Sequence, residues 1–267
     1  MEYVGYFSSI LIGVSLGLIG GGGSVLTLPV LVYLFSVETV TATAYSLFIV
    51  GITSIVGCIS YFRKGLVHVK TAIVFGIPSI IAVFLTRAYL IPTLPKILMT
   101  FDNFVLTKNG FLLLLFGILM VVAAYSMIKK RTEQSETIAP KQVFNYPLIL
   151  LEGALVGMFT GLVGAGGGFL IIPALVTFSK LPMKEAIGTS LVIIAAKSLI
   201  GFWGESSETV MDWALLLKIS SLASIGVFIG MAISTKIDSA KLKPIFGWFI
   251  LGMGLFIITK EIIFKNF

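Results

Sequence analysis

Two glycine clusters carry the chemistry this sequence offers. Gly17-Leu18-Ile19-Gly20-Gly21-Gly22-Gly23-Ser24 runs on to Pro29, and Gly161-Leu162-Val163-Gly164-Ala165-Gly166-Gly167-Gly168 runs on to Pro173. Both lie in long uncharged stretches; Tyr3 to Val37 holds no charged residue at all. Glycine is the worst ordinary residue for a helix interior, so each cluster is expected to end one helical arm and start another near Ser24 or Gly168. The first amides of a helix have no internal partner and sit at the positive end of its dipole, so such a terminus binds anions. The candidate ligands are therefore Gly21, Gly22, Gly23 and Ser24 in the first cluster and Gly166, Gly167 and Gly168 in the second. Ser24 is also a good N-cap, so its hydroxyl serves either the backbone or a ligand. The bland alternative is that the glycines only let helices pack closely, as small residues do in membranes.

Hydroxyls follow each cluster. Ser46, Thr53 and Ser54 follow the first, and Thr189, Ser190 and Ser198 follow the second. Residues eight apart share a helical face, which groups Ser46 with Ser54 and Ser190 with Ser198. Such groups suit an oxyanion, although any single one also bonds to a carbonyl one turn earlier. Lys197 lies inside an apolar run, where a cation is by default a functional candidate. It also lies six residues before Trp203, so snorkelling to that end is the competing reading. Lys218 enters the next apolar run at similar depth. His68, the only histidine, reads as a boundary residue. Glu152, at the start of the second broken run, is either a coupling-proton carrier or a carboxylate matched to the helix dipole.

Other chemistries find little support. Neither cluster is followed by the Lys-Ser or Lys-Thr of a nucleotide loop. The single cysteine, Cys58, rules out an internal disulfide or a multi-cysteine metal site. No paired carboxylates, nucleophile–base set or metal-ligand cluster lies in the apolar runs, so no enzyme and no cofactor is expected. The net charge of +7 sits in short connections rather than in an aromatic-interleaved patch, so nucleic acid is not an expected partner.

The elements that position these residues belong in a bilayer. The chain is 57% hydrophobic and 12% charged, with mean hydropathy +1.07, whereas soluble domains carry about 25% charged residues. Apolar runs fall near residues 3–37, 39–62, 70–90, 110–128, 147–179, 182–203, 213–235 and 244–264. The reading is an all-α polytopic membrane protein. A first membrane repeat spans residues 1–128, a polar cytoplasmic linker 129–146, and a second repeat 147–267. The two clusters are 144 residues apart, and the same ungapped offset pairs Gly13 with Gly157, Pro29 with Pro173, Ser46-Leu47 with Ser190-Leu191, Ser54 with Ser198 and Gly57 with Gly201.

The Lys/Arg rule bears on how the repeats are oriented. Eight full crossings leave nine basic residues inside and eight outside, which is no bias. If the two broken runs are hairpins that enter and leave on one side, twelve fall inside: Arg63, Lys64, Lys70, Lys129, Lys130, Arg131, Lys141, Lys180, Lys184, Lys236, Lys241 and Lys243. Five fall outside: Arg87, Lys96, Lys108, Lys260 and Lys265. The favoured topology is thus six spanning helices and two hairpins in inverted repeats, with parallel repeats of full crossings as the rival. Inverted hairpins bring two positive helix ends toward one central cavity, which favours an anionic substrate.

With these motifs in place, the chain resembles the sulfite exporter TauE/SafE family of membrane permeases. The likeness rests on Gly17-Leu18-Ile19-Gly20-Gly21-Gly22-Gly23 with Pro29, on Gly161-Leu162-Val163-Gly164-Ala165-Gly166-Gly167-Gly168 with Pro173, and on Gly188-Thr189-Ser190-Leu191. It implies movement of sulfite or organosulfonates across a bacterial or archaeal inner (cell) membrane. Where the second half has Gly188-Thr189-Ser190-Leu191, the first has Ala44-Tyr45-Ser46-Leu47, so Tyr45 would make a shared site asymmetric. The expectation is a permease that moves a small anion by alternating access, with a proton or sodium as coupling ion. The expected ligands are the two clusters' amides with Ser46, Thr189, Ser190 and Lys197. The alternatives are a non-transporting sensor or scaffold and a transporter of another solute class. A cation carrier would want midplane carboxylates, and the apolar runs supply almost none.

Overall fold

A computed structural model describes residues 2–101, 104–128, 146–163, 167–177, 179–203, 211–234, 236–237 and 239–263. Glycine interrupts the first apolar run after eighteen residues, giving α1 (Glu2–Ile19) and α2 (Gly22–Tyr33). There follow α3 (Thr39–Arg63), α4 (Val69–Leu85), a π-helical turn (Thr86–Leu90) and the one-turn α5 (Ile91–Thr93). A short antiparallel ribbon, β1 (Ile97–Phe101) with β2 (Phe104–Thr107), leads into α6 (Lys108–Ile128). The second half comprises α7 (Tyr146–Val163), α8 (Gly168–Thr177), α9 (Met183–Trp203), α10 (Trp213–Ser234) and α11 (Ser239–Ile263). The protein is a multi-pass membrane protein, essentially all α; among the described residues the ribbon is the one departure, and it lies outside the apolar runs. The linker expected at 129–146 falls, apart from Tyr146, outside the described residues.

Among the described residues, six helical segments are long and apolar enough to cross a bilayer: Thr39–Arg63, Val69–Thr93, Lys108–Ile128, Met183–Trp203, Trp213–Ser234 and Pro244–Ile262. The pieces Val4–Ile19, Gly23–Tyr33, Pro147–Val163 and Gly168–Thr177 are shorter apolar helices. Among the six, α3 and α9 are the most enclosed, with 67% and 72% of their apolar windows buried against 33–44% for the rest. These two form the centre. The outer helices turn Ile73, Ile77, Ile81, Ile225, Phe228 and Ile229 outward, an apolar belt that suits lipid.

Contacts across glycines fix the helix directions. On α3 and α9, Leu47 meets Gly201, Gly51 meets Leu199, Gly57 meets Leu191, and Tyr61 meets Gly188, so the two helices run antiparallel. α6 and α11 are also antiparallel, with Gly117 against Gly254 and Ile258, and Gly247 against Met127 and Ile128. α1 runs parallel to α10, because Gly13 packs on Ala223 and Gly226 and Gly17 packs on Val227 and Met231. α7 runs parallel to α4, with Gly153 on Phe75, Gly157 on Ser79 and Ala82, and Gly161 on Val83 and Thr86. An added Cβ at Gly13, Gly17 or Gly157 would strike the partner's backbone. For these glycines close packing is the whole explanation.

The 144-residue offset recurs in the geometry. It separates the starts Glu2/Tyr146, Thr39/Met183 and Val69/Trp213, and the ends Ile19/Val163 and Tyr33/Thr177. It also separates Ser36 from Lys180, the two non-glycine residues with positive φ among the described residues. Each is followed by a matching hydrogen bond: Val37 N–H to the Leu31 carbonyl at 3.0 Å, and Leu181 N–H to the Leu175 carbonyl at 3.1 Å.

Candidate functional site

The first glycine-broken run doubles back. The Phe35 ring at its far end lies against Gly5 and stacks edge-on with Tyr6, centroids 5.6 Å apart, while Gly23 packs on Ile12 and Leu16. The second does the same. α4 runs parallel to α9 (Gly76 on Ile193, Val83 on Gly201), and α8 runs against α9 from Gly168 on Ile194 to the short connection ahead of Met183. α8 is therefore antiparallel to α7. The hairpins account for the basic residues as well. Gly188 packs on Leu66, and the Tyr61 hydroxyl lies 3.4 Å from the Ser234 hydroxyl. This gathers Lys180, Lys184, Lys236 and Lys241 at the end that holds Arg63, Lys64 and Lys70.

The two breaks meet. Gly20 ends the first arm with φ +78, a conformation an L side chain adopts only with strain. Gly21 is the N-cap of α2 and has no side-chain capping bond. Its α-carbon lies so close to Gly168 that a Cβ on either glycine would fall 2.6 Å from backbone of the other. In the second break Gly167 has φ +75, and Gly168 opens α8. Gly166 lies outside the described residues. The N-termini of α2 and α8 thus face each other, and their first amides lack intrahelical partners. α2 begins at Gly22, two residues ahead of the expected start near Ser24.

A stripe of α9 covers both breaks. Ile187 packs on Gly20 and Ile194 on Gly168; Ser190 lies between them and Lys197 three residues beyond Ile194, at the spacing of one helical face. Lys197 is 1% exposed. Its ammonium does not snorkel toward Trp203. It donates to the Thr160 hydroxyl at 2.9 Å and lies so near Gly167 that a Cβ there would sit 2.5 Å from Nζ. Thr160 in turn donates to the Gly157 carbonyl at 3.1 Å. The Lys197 side chain therefore stands at the mouth of α8. Lys218 differs: it lies exposed in an outer groove with Tyr6, Leu217, Ser221 and Leu222.

The hydroxyls divide into two groups. Ser24 donates to the Gly21 carbonyl at 2.7 Å, Ser190 to the Ile187 carbonyl at 2.8 Å, and Thr53 to the Ile49 carbonyl at 2.7 Å, so their protons are committed to backbone. Thr189 accepts the His68 N–H at 2.9 Å and ties α9 to the start of α4. His68 itself caps α4, its ring accepting the Thr71 N–H at 3.3 Å. Tyr45 accepts the Asp212 N–H at 2.7 Å and serves as a clamp between helices. By contrast, Ser46, Ser54, Ser79, Ser198 and Ser220 are buried with no hydrogen-bond partner among the described residues. Unsatisfied buried hydroxyls cost about 1–3 kcal/mol each. Ser54 and Ser198 lie on the facing stripes of α3 and α9, near the centre of the antiparallel pair.

Arg87 is the cation that the sequence conceals. Counted as an outer connection charge, it is in fact 2% exposed and sits within a helix that continues to Thr93. The π turn adds a residue per turn and directs Arg87 onto α3, where it donates to the Thr43 hydroxyl at 2.9 Å. Thr43 lies one turn before Ser46, and neighbouring Thr86 packs on Gly161 beside the second break. The mark that could have revealed it is the apolar sequence on both sides of Arg87, which keeps the helix going.

No group of three or more His, Cys, Asp or Glu able to hold a metal occurs among the described residues. Where the two breaks meet, two helix N-termini and the buried Lys197 side chain favour negative charge.

Comparison with known proteins agrees in kind. The family described as sulfite exporter TauE/SafE matches residues 6–257. A "probable membrane transporter protein" of Xylella fastidiosa (strain 9a5c) is 29% identical over 259 residues, covering 94% of this chain and 92% of its own length. "Probable membrane transporter protein YdhB" of Bacillus subtilis (strain 168) is 25% identical over 233 residues, covering 87% and 90%. No solved structure matches.

Proposed function

The chain belongs to the sulfite exporter TauE/SafE family of membrane transporters, and from that premise we propose that it passes a small anion, a sulfur oxyanion or an organosulfonate, across the cell membrane by alternating access. It is a permease rather than an enzyme. The observation that carries the anionic reading is the buried Lys197 ammonium beside Gly167, where the α2 and α8 N-termini meet. Each of these features favours negative charge, and charge-assisted donors bind oxyanions strongly. Sulfite fits such a site because its oxygens accept several hydrogen bonds at once, from amides, spare serine hydroxyls and the ammonium.

In this proposal the halves are an inverted repeat whose hairpins enter from opposite faces. The antiparallel α3/α9 and α6/α11 pairs and the shared 144-residue offset support that relation. α1 with α10, and α7 with α4, form two parallel blocks that each join one half's hairpin to the other half's fourth helix. Rocking of these blocks around the α3/α9 pair would expose the tips to each side in turn. The end bearing Arg63, Lys64, Lys70, Lys180 and Lys184 is the cytoplasmic one.

The test is Gly167→Leu in proteoliposomes. Its side chain would occupy the space of the Lys197 ammonium and Thr160 at a positive φ. Sulfite transport is expected to vanish while the protein still inserts and extracts as a folded species. Unchanged transport would defeat the site assignment.

A further inference from the structure

Glu152 is the buried charge that the anion site does not use. It lies in the second turn of α7, is 9% exposed, and both carboxylate oxygens are buried with no hydrogen-bond partner among the described residues. The elements packed on α7 are α4, the π turn, α6 and α8. Their titratable residues are Lys70 at the start of α4 with His68 capping it, Arg87 and Tyr89 in the π turn, and Lys108 and Tyr125 at the two ends of α6; α8 has none. None of these pairs with the Glu152 carboxylate. The α7/α4 register sets neighbouring Gly153 beside Phe75 and Pro78, more than a turn inside Lys70.

A buried carboxylate without a partner among the described residues is expensive as an anion, and those residues supply no group of three or more His, Cys, Asp or Glu to hold a metal cation there. Its position along α7 is informative. Val156 and Thr160 follow at four-residue steps, and Thr160 holds the Lys197 ammonium. Eight residues of helix place Glu152 about 12 Å from that point, on the entry side of the same hairpin.

We propose that Glu152 is a proton-carrying site that couples anion movement to a proton, an inference that rests on the anion-transport reading. In each cycle one carboxylate oxygen takes a proton from water at the basic end. It returns that proton to water after the site has opened to the other side. The coupling is electrostatic. A negative solute beside Lys197 and a negative carboxylate about 12 Å away repel each other, which at an effective dielectric of about 20 is worth roughly tenfold in affinity. Protonation removes that repulsion, so anion and proton each favour the other's binding.

Infrared spectroscopy of the full chain in lipid nanodiscs tests protonation without reference to transport. The wild type should show the band of a protonated carboxyl that titrates with pH and is missing in Glu152→Gln; a carboxylate ionised at every pH, or a band unchanged in the variant, overturns the proposal. Sulfate, whose charge is constant near neutral pH, then serves as the flux probe beside sulfite in proteoliposomes. The wild type should accumulate anion under a proton gradient. Glu152→Gln should lose that dependence by about tenfold and keep anion-for-anion exchange, with Glu152→Asp partly restoring the dependence. Equal gradient dependence in wild type and Glu152→Gln overturns the coupling role. If the wild type exchanges no anion while the carboxyl band is present, the coupling role falls together with the transport reading, and protonation alone stands.

Discussion

Replacing Lys197 by methionine separates an anion site from a structural cation. Methionine keeps the length of the side-chain stem and removes the charge. Lys197 is 1% exposed and its ammonium has one partner, the Thr160 hydroxyl at 2.9 Å, so two of its three N–H donors are unassigned among the described residues. Burying a cation with so few partners is costly, and replacing buried charges with apolar groups of similar shape is often neutral or stabilising. Thr160 keeps its own bond to the Gly157 carbonyl. The melting temperature of Lys197→Met is therefore expected to stay level or rise. Transport should move the other way. A hydrogen bond from a charged donor is worth about 1.5–3 kcal/mol, so its loss should weaken apparent anion affinity roughly 10- to 150-fold. The assay is exchange of radiolabelled sulfite in proteoliposomes, with KM and thermal unfolding measured on one preparation. A KM within about threefold of wild type, combined with a lower melting temperature, would refute the reasoning and make Lys197 a packing element.

Four further outcomes are expected. Thr160→Val leaves the Lys197 ammonium without its acceptor and should cost about 1–3 kcal/mol of stability, read as a lower melting temperature that Lys197→Met relieves when the two are combined. Gly20→Ala places a side chain at φ +78 against Ile187 and should cost at least about 1–2 kcal/mol, with transport falling because the first tip shifts. Arg87→Gln should weaken sulfite affinity, whereas neutralising Lys218, which faces outward, should not; equal effects from both would show a general field rather than a site. Reporter fusions at 129–141 and 180–184 should report the same side of the membrane, and opposite sides would sink the paired-hairpin topology.

Much of this architecture was legible because glycine, proline and serine recur in one ungapped frame, and because the basic residues fall to one side only when the broken runs fold back. The glycine breaks at Gly20 to Gly21 and Gly167 to Gly168 followed from that pattern, while Lys197 stood out as a charge inside an apolar run. Other parts were hidden for physical reasons. Gly17 and Gly161 stand in the same motif as the break glycines, and Gly13 and Gly157 one turn ahead of it, yet all four serve helix contact; a glycine in an apolar run looks the same in both roles. Arg87 was misplaced because a π turn leaves no mark in composition, and its burial depends on Thr43 in another helix. Thr160 matters only through Lys197, thirty-seven residues away. The serines could not be sorted from sequence, since whether Ser190 or Ser198 bonds to the preceding turn is a choice of rotamer that only the packed neighbours decide. The ribbon at Ile97–Thr107 is a short, partly exposed element with too little apolar alternation to stand out beside membrane helices.

A small anion is proposed to pass where the two glycine breaks meet. Exchange of radiolabelled sulfite by purified protein in sealed liposomes tests it most directly. Exchange should be saturable, open to competition from thiosulfate and short organosulfonates but not from inorganic cations, and abolished by Gly167→Leu. Folded protein in tight liposomes that exchanges no sulfur anion, or exchange that survives Gly167→Leu, would contradict it.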